Sequence, residues 1–239
     1  MAAGAREVSW EMWQEEVSRR DAKRIQGRSA TQPVMALPKG RLLKDTLGLL
    51  ETAGIRVPGL APRSLWGSTP ECGYVVSRGR DVPTYLRSGV AELGVVGHDV
   101  VLESGEGLTE LADLRFGACR IVLALPEGRR VGSGDRLATR YPVLTRRYLN
   151  AKGLTRVEVV PLAGAVEGAV SAGLADGVVE VVETGATLRA HGLWPVDTVA
   201  ESSARLVMAE GRELSRQARW VLDRTVLALG EPTALSRES

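Results

Sequence analysis

The chain has 239 residues, enough for one large domain or two small ones with cores of their own. Hydrophobic residues make up 44% and aromatics only 4%, so the expected core is Val, Leu and Ala, which suits parallel strands covered by helices better than an aromatic-rich sandwich. A net charge of +2, from 31 basic and 29 acidic residues, gives no electrostatic case for nucleic acid. No apolar run approaches the roughly 18 residues of a membrane span. Arginine far outnumbers lysine, which suits phosphate recognition.

The opening stretch MAAGAREVSWEMWQEE has no apolar signal core and carries acids, so it reads as neither secretory nor organellar, and a cytoplasmic protein is expected. Cys72 and Cys119 lie far apart, without metal-type spacing, and are expected as buried thiols. His98 and His191 are too scattered for a histidine metal site. Residues 1–33 form an N-terminal extension. Val8, Trp10, Trp13 and Val17 mark one face of a helix, and the stretch from Ser18 to Gln32 turns polar and basic like a linker.

Val34 to Leu37 predicts a strand, Pro38-Lys39-Gly40-Arg41 a turn, and Leu42, Thr46, Leu49 and Leu50 a helix stopped at Gly54. Gly73 to Ser77 is a second strand, with Asp81 as N-cap of a helix from Val82 to Ser88-Gly89. Leu93 to Val96 is a third strand, after which Gly97-His98-Asp99 opens a short helix. The run from Phe116 to Leu125 predicts a long strand leaving the first lobe. Beyond it come a strand at Arg136 to Thr139, a helix from Pro142 to Lys152, a strand from Val157 to Leu162 and a helix from Val166 to Ala172. This βαβα order, continued by the strand at Val178, predicts a right-handed parallel sheet. Trp194 to Val199 and Ala204 to Met208 are strands expected to return to the first lobe, and Glu213 to Leu229 is a final amphipathic helix.

The stretch from Asp176 to Gly192, DGVVEVVETGATLRAHG, carries the most information. Val178, Val179, Val181 and Val182 are a β-branched run expected in a strand buried on both faces. Glu183-Thr184-Gly185-Ala186-Thr187 breaks the run, and Leu188 to His191 reads as a short helix stopped by Gly192. A strand feeding a glycine turn and then a helix N-terminus gathers backbone N–H groups, and with two threonine hydroxyls this suits a phosphate monoester. Glu180 and Glu183 sit at the end of a buried strand, where carboxylates are costly unless they bind something, and a phosphosugar's ribose hydroxyls fit that need.

ADGVVEVVETGATLRAHGL resembles the phosphoribosyl-diphosphate motif of the ATP phosphoribosyltransferase family, with Glu180 where the family more often has Asp and His191 where it more often has Asn. ALPKGRLL resembles the family's opening, and SRGRDVPTYLRSGVAELGVVGHDVV its second motif block; together the likeness runs over roughly residues 34–210. It implies an α/β fold of two lobes similar to type II periplasmic binding proteins, the second inserted into the first: residues 34–117 plus 194–239 in one and 118–193 in the other. It implies that Lys39 and Arg41 act as catalytic cations, that Glu180, Glu183, Thr184, Gly185, Ala186 and Thr187 bind phosphoribosyl diphosphate, and that Arg78 and Asp99 lie on the ATP side of the cleft.

The implied reaction joins ATP to phosphoribosyl diphosphate, giving phosphoribosyl-ATP and pyrophosphate, the first step of histidine biosynthesis. Mg²⁺ would be held mainly through the diphosphate, with no metal ligand assigned on the protein. The nucleophile, adenine N1, is unprotonated at neutral pH, in keeping with a chain that shows no Ser/His/Asp or Cys/His grouping. The length after the motif-bearing core matches the family's short form, whose members work with a separate regulatory subunit similar to histidyl-tRNA synthetase. Three alternatives stand beside this reading: a purine-salvage phosphoribosyltransferase, a bilobal solute-binding protein, and a regulatory paralogue without catalysis. The two valines between Glu180 and Glu183 weigh against the first, the acidic, non-secretory start against the second, and the intact ETGAT and PKGR turns against the third.

Overall fold

The structure is a computed structural model, and it describes residues 32–57, 65–182 and 185–230. The expected leader helix with Trp10 and Trp13 lies outside the described residues, as do Glu183 and Thr184 of the glycine turn.

The described chain builds two mixed α/β sheets. In the first, β1 (Val34–Pro38) lies parallel to both β3 (Gly73–Ser77) and β4 (Leu93–Gly97). Helices α1 (Arg41–Thr52) and α2 (Val82–Arg87) make the crossovers. Three antiparallel strands complete the sheet: β2 (Trp66–Ser68) on β3, and β11 (Ala204–Ala209) between β4 and β5 (Leu108–Asp113). α3 (His98–Ser104) follows β4 directly. The core under α1 is aliphatic, with Met35, Leu37, Leu50, Ile55, Leu93 and Leu206 all essentially inaccessible to water. The last helix, α7 (Arg216–Ala228), closes that core with Ala218, Val221 and Leu222. It starts three residues later than the amphipathic pattern implies, because Ser215 caps it by accepting from the Ala218 N–H at 3.1 Å.

The second sheet runs in the order β10 (Leu193–Ser202), β6 (Cys119–Pro126), β9 (Gly177–Val182), β7 (Arg136–Thr139), β8 (Glu158–Pro161). β7, β8 and β9 are parallel, as the strand–helix alternation predicts, with α4 (Pro142–Ala151) and α5 (Gly168–Ser171) as crossovers. The sheet is not parallel throughout: β6 and β10 add antiparallel strands on the β9 side. β9 is buried on both faces, as its valine run requires.

Several local expectations need correction. β10 does not return to the first sheet; it pairs with β6 along its length, and the chain re-enters the first sheet at β11. Asp81 makes no side-chain cap, because a 3₁₀ turn at Gly79–Asp81 already leads into α2. α5 is shorter than Val166 to Ala172, since Ala165 just before it takes a left-handed φ of 42° and spends the first residues on a turn. α6 (Ala186–Ala190) begins two residues before Leu188, immediately after the glycine.

Candidate active site

In each sheet the loops after the parallel strands point the same way, and the two sets of loops meet. On the first sheet they are Lys39 to Arg41 after β1, Arg78 to Arg80 after β3, and His98-Asp99 after β4. On the second they are Arg140-Tyr141 after β7, Leu162 after β8, and the glycine turn after β9. Contacts across the gap are direct. Arg80 Nη2 donates to the Arg140 carbonyl at 2.7 Å, and its guanidinium carbon stands 5.1 Å from the Tyr141 ring centre. Tyr141 donates to Asp99 Oδ2 at 2.9 Å, while the Glu103 carboxylate accepts from the N–H groups of Val143 and Leu144 at 3.0 Å each, capping α4 from the opposite sheet.

Arg41 opens α1 behind Gly40, whose φ of +93° is a conformation that only glycine adopts freely. The exposed guanidinium reaches the Gly117 carbonyl at 3.1 Å and Cys119 Sγ at 3.5 Å, so it leans over the chain where it enters β6. Lys39 is exposed, and its N–H donates to the Ser77 carbonyl at 2.6 Å, tying the β1 and β3 loops together. Arg78 is exposed on the same rim. Asp99 sits at the start of α3 with both oxygens engaged, Oδ1 accepting from Ser202 Oγ at 2.8 Å. Gly97 leaves room for it: a Cβ there would lie 2.1 Å from Asp99 Oδ1. Burial, with Asp99 alongside, pushes the Tyr141 phenol well above its ordinary value, so it remains a donor at neutral pH. Burial and the same carboxylate also raise the Cys119 thiol.

Of the glycine turn, residues 185–187 are described, and Ala186 and Thr187 already belong to α6. Gly185 caps α6 in the left-handed region (φ 75°, ψ 6°), and a hollow of about 250 Å³ is lined by Glu167, Val181, Val182, Gly185, Ala186 and Thr187. Two larger cavities adjoin the cleft. One, of about 480 Å³, lies between Arg80, Val100 and Glu103 on one side and Arg140, Tyr141 and Leu162 on the other. The second, of about 460 Å³, is polar and lies along the crossing strands between Cys119, Arg120, Val182, Glu201, Ser203 and Arg205. Among the described residues no three His, Cys, Asp or Glu side chains converge as a metal-binding group.

Lys39, Arg41 and Arg78 lie on loops of the first sheet, Asp99 is bonded across to Tyr141, and Gly185, Ala186 and Thr187 line the hollow after β9. Glu180 differs in setting from the rest. Its side chain is 3% exposed and is held by Arg140, which donates Nε to Oε2 at 2.9 Å and Nη2 to Oε1. The sequence reading missed Arg140, Tyr141 and Glu103. The available signal was Glu180 itself, since a carboxylate inside a buried valine run demands a cation.

The family model described as HisG: ATP phosphoribosyltransferase matches residues 78–226. The chain belongs to the ATP phosphoribosyltransferase family. An ATP phosphoribosyltransferase of Deinococcus deserti is 46% identical over 177 residues, covering 73% of this chain and 81% of the relative. Among solved structures, the ATP phosphoribosyl transferase (HisG:HisZ) complex from Thermotoga maritima contains a chain 32% identical, with a TM-score of 0.72, covering 83% of this chain and 96% of that one. A substrate-binding protein of an amino acid ABC transporter superposes with a TM-score of 0.54 at 12% identity, over 83% of this chain and 92% of its own, which is a likeness of fold alone. Members of the family carry out the first step of histidine biosynthesis, and the two-lobed α/β architecture is the periplasmic-binding-protein type.

Proposed function

We propose that this chain is a catalytic subunit that attaches the N1 of ATP's adenine to phosphoribosyl diphosphate, releasing pyrophosphate, and that it does so in a hetero-oligomer with a separate regulatory subunit. The observation that carries the reaction is membership of the ATP phosphoribosyltransferase family, supported by cation-bearing and glycine turns that each follow a parallel strand.

The 5′-phosphate sits against Gly185 to Thr187, where the backbone reversal at Gly185 brings N–H groups and the Thr187 hydroxyl to the hollow. Glu183 and Thr184, from the sequence motif, complete that loop. Lys39 and Arg41 supply positive charge to the departing pyrophosphate, which is the main electrostatic demand of the step. Arg78 and Asp99 serve the nucleotide side, where the 480 Å³ cavity lined by Arg80, Val100 and Tyr141 is of a size for a nucleotide. Because adenine N1 is already a free base, the protein's work is to hold the two substrates in line and exclude water.

A magnesium ion suits this donor set if it is held mainly by the substrate's own phosphate oxygens. When bound, it would neutralise charge on the leaving diphosphate. The regulatory subunit, similar to histidyl-tRNA synthetase, is supported by the likeness to a chain solved within a HisG:HisZ complex. A cytoplasmic setting accords with a biosynthetic role, and among the described residues no helix is long and apolar enough to cross a membrane.

Complementation tests this reading. Expressed with a short-form regulatory subunit in a bacterium lacking its own ATP phosphoribosyltransferase, the chain is expected to restore growth without histidine. Continued dependence on histidine, with both proteins present and soluble, would count against it.

A further inference from the structure

Glu180 and Arg140 make a bidentate pair between the last turns of two neighbouring parallel strands. The register explains how. Thr139 of β7 stands opposite Val179 of β9, and its hydroxyl donates to the Val179 carbonyl at 2.8 Å while accepting from the Tyr141 N–H at 2.8 Å. That local turn, one residue past the strand, aims the Arg140 guanidinium back at Glu180. The carboxylate is otherwise occupied: Oε1 also accepts from the Val181 N–H at 2.8 Å. Arg140 is a node as well as a partner. Its carbonyl takes the Arg80 hydrogen bond from the opposite sheet, and its neighbour Tyr141 holds Asp99.

We propose that Arg140 is a positioning residue for phosphoribosyl diphosphate, which acts by clamping Glu180, and that Glu180 is its internal counter-ion rather than a ribose ligand. Glu180 lies three residues before Glu183, so the clamp fixes the strand end from which the phosphate loop departs, and it ties that end through the Arg140 carbonyl to the first sheet. The longer arm of glutamate is what lets this position reach the guanidinium with both oxygens while its backbone stays in the β9 ladder. The carboxylate is 3% exposed, with Oε1 accepting two hydrogen bonds and Oε2 one. The inference rests on the phosphoribosyl-transfer reading of the cleft.

A double-mutant cycle in the full chain with its regulatory subunit tests it, read as KM for each substrate, kcat, and binding of phosphoribosyl diphosphate by calorimetry. Arg140→Met and Glu180→Gln are each expected to raise KM for phosphoribosyl diphosphate roughly 10-fold, with KM for ATP and kcat changed by less than about twofold. The double variant should be no worse than either single change, because both remove the same clamp. Arg140→Lys should recover part of the loss, since it keeps the charge but not the fork.

If Glu180 instead binds ribose directly, Arg140→Met will leave KM unchanged and Glu180→Gln alone will carry the whole effect; that result overturns the proposal. Should Arg140→Met fail to fold with an unpaired buried carboxylate, the double variant, which buries no lone charge, still decides: parental KM there also overturns it. A parent complex that neither binds phosphoribosyl diphosphate nor forms product overturns the functional reading itself, and the inference falls with it.

Discussion

Tyr141, just after β7, donates its hydroxyl to Asp99, just after β4, at 2.9 Å, and with the Arg80 hydrogen bond to the Arg140 carbonyl and the Glu103 contacts it joins the loops of the two sheets. Ser202, at the end of β10 where the chain crosses back, donates to the other Asp99 oxygen at 2.8 Å. Asp99 is thus the meeting point of the first sheet, the second sheet and a connecting strand.

Tyr141→Phe removes the donor and leaves the ring against Arg80. A hydrogen bond to a charged acceptor contributes about 1.5–3 kcal/mol, so a loss of stability in that range is expected, together with a fall in kcat/KM as the lobes lose their fixed spacing. Denaturant unfolding and steady-state kinetics read the two effects. Unchanged stability and kinetics would mean that the contact does not hold the lobes.

Arg41→Ala separates chemistry from folding. Its guanidinium is exposed, with the Gly117 carbonyl and the Cys119 thiol among its partners, so the melting temperature should move little, while turnover falls strongly as charge at the leaving group is lost. An Arg41→Ala protein that unfolds would show that its hold on Gly117 and Cys119 matters more than its charge.

Thr187→Ala and Thr184→Ala each delete a hydroxyl expected on the 5′-phosphate. A bond of that kind contributes about 1.5–3 kcal/mol, which predicts roughly a 10- to 150-fold loss in kcat/KM. Normal kinetics in both would remove the glycine turn from the site.

Burial pushes the Cys72 thiol up to about 11, against an ordinary value of 9.0. The unfolded chain releases this proton near pH 9 and the native chain near 11, so between those values the unfolded state binds fewer protons and stability falls as pH rises. That displacement corresponds to about 2.7 kcal/mol at most. Cys72→Ala should flatten the stability profile over that window, measured by urea unfolding at successive pH values. An equally steep alkaline loss in the variant would assign the effect elsewhere, for instance to Tyr141 and Tyr148, whose phenols burial also raises.

The parts of the fold legible in the sequence are those that local pattern dictates. The valine run of β9, the Gly54 stop after α1 and the Gly185 turn each follow from one segment's own residues. β5 was not legible: LTELAD has no apolar alternation, because its strand lies at the sheet edge and is set by pairing with β11. β2 is three residues long and carries no period of its own. The return of the chain was misread for a related reason, since the choice of sheet for β10 depends on β6, some seventy residues earlier. Lys39, Arg41, Arg78, Asp99 and the glycine turn are assigned to the site through motif resemblance. Arg140 is not, because an arginine after a short strand reads as surface charge until the register sets it opposite Glu180.

Product formation is the decisive readout of the reaction. The chain, with its regulatory subunit, is mixed with ATP, phosphoribosyl diphosphate, Mg²⁺ and a pyrophosphatase, and the ultraviolet absorbance of phosphoribosyl-ATP is followed. The absorbance is expected to rise only with both substrates and Mg²⁺, weakly for the chain alone, and to be suppressed by histidine in the complex. No absorbance change from a folded complex with both substrates present would contradict it.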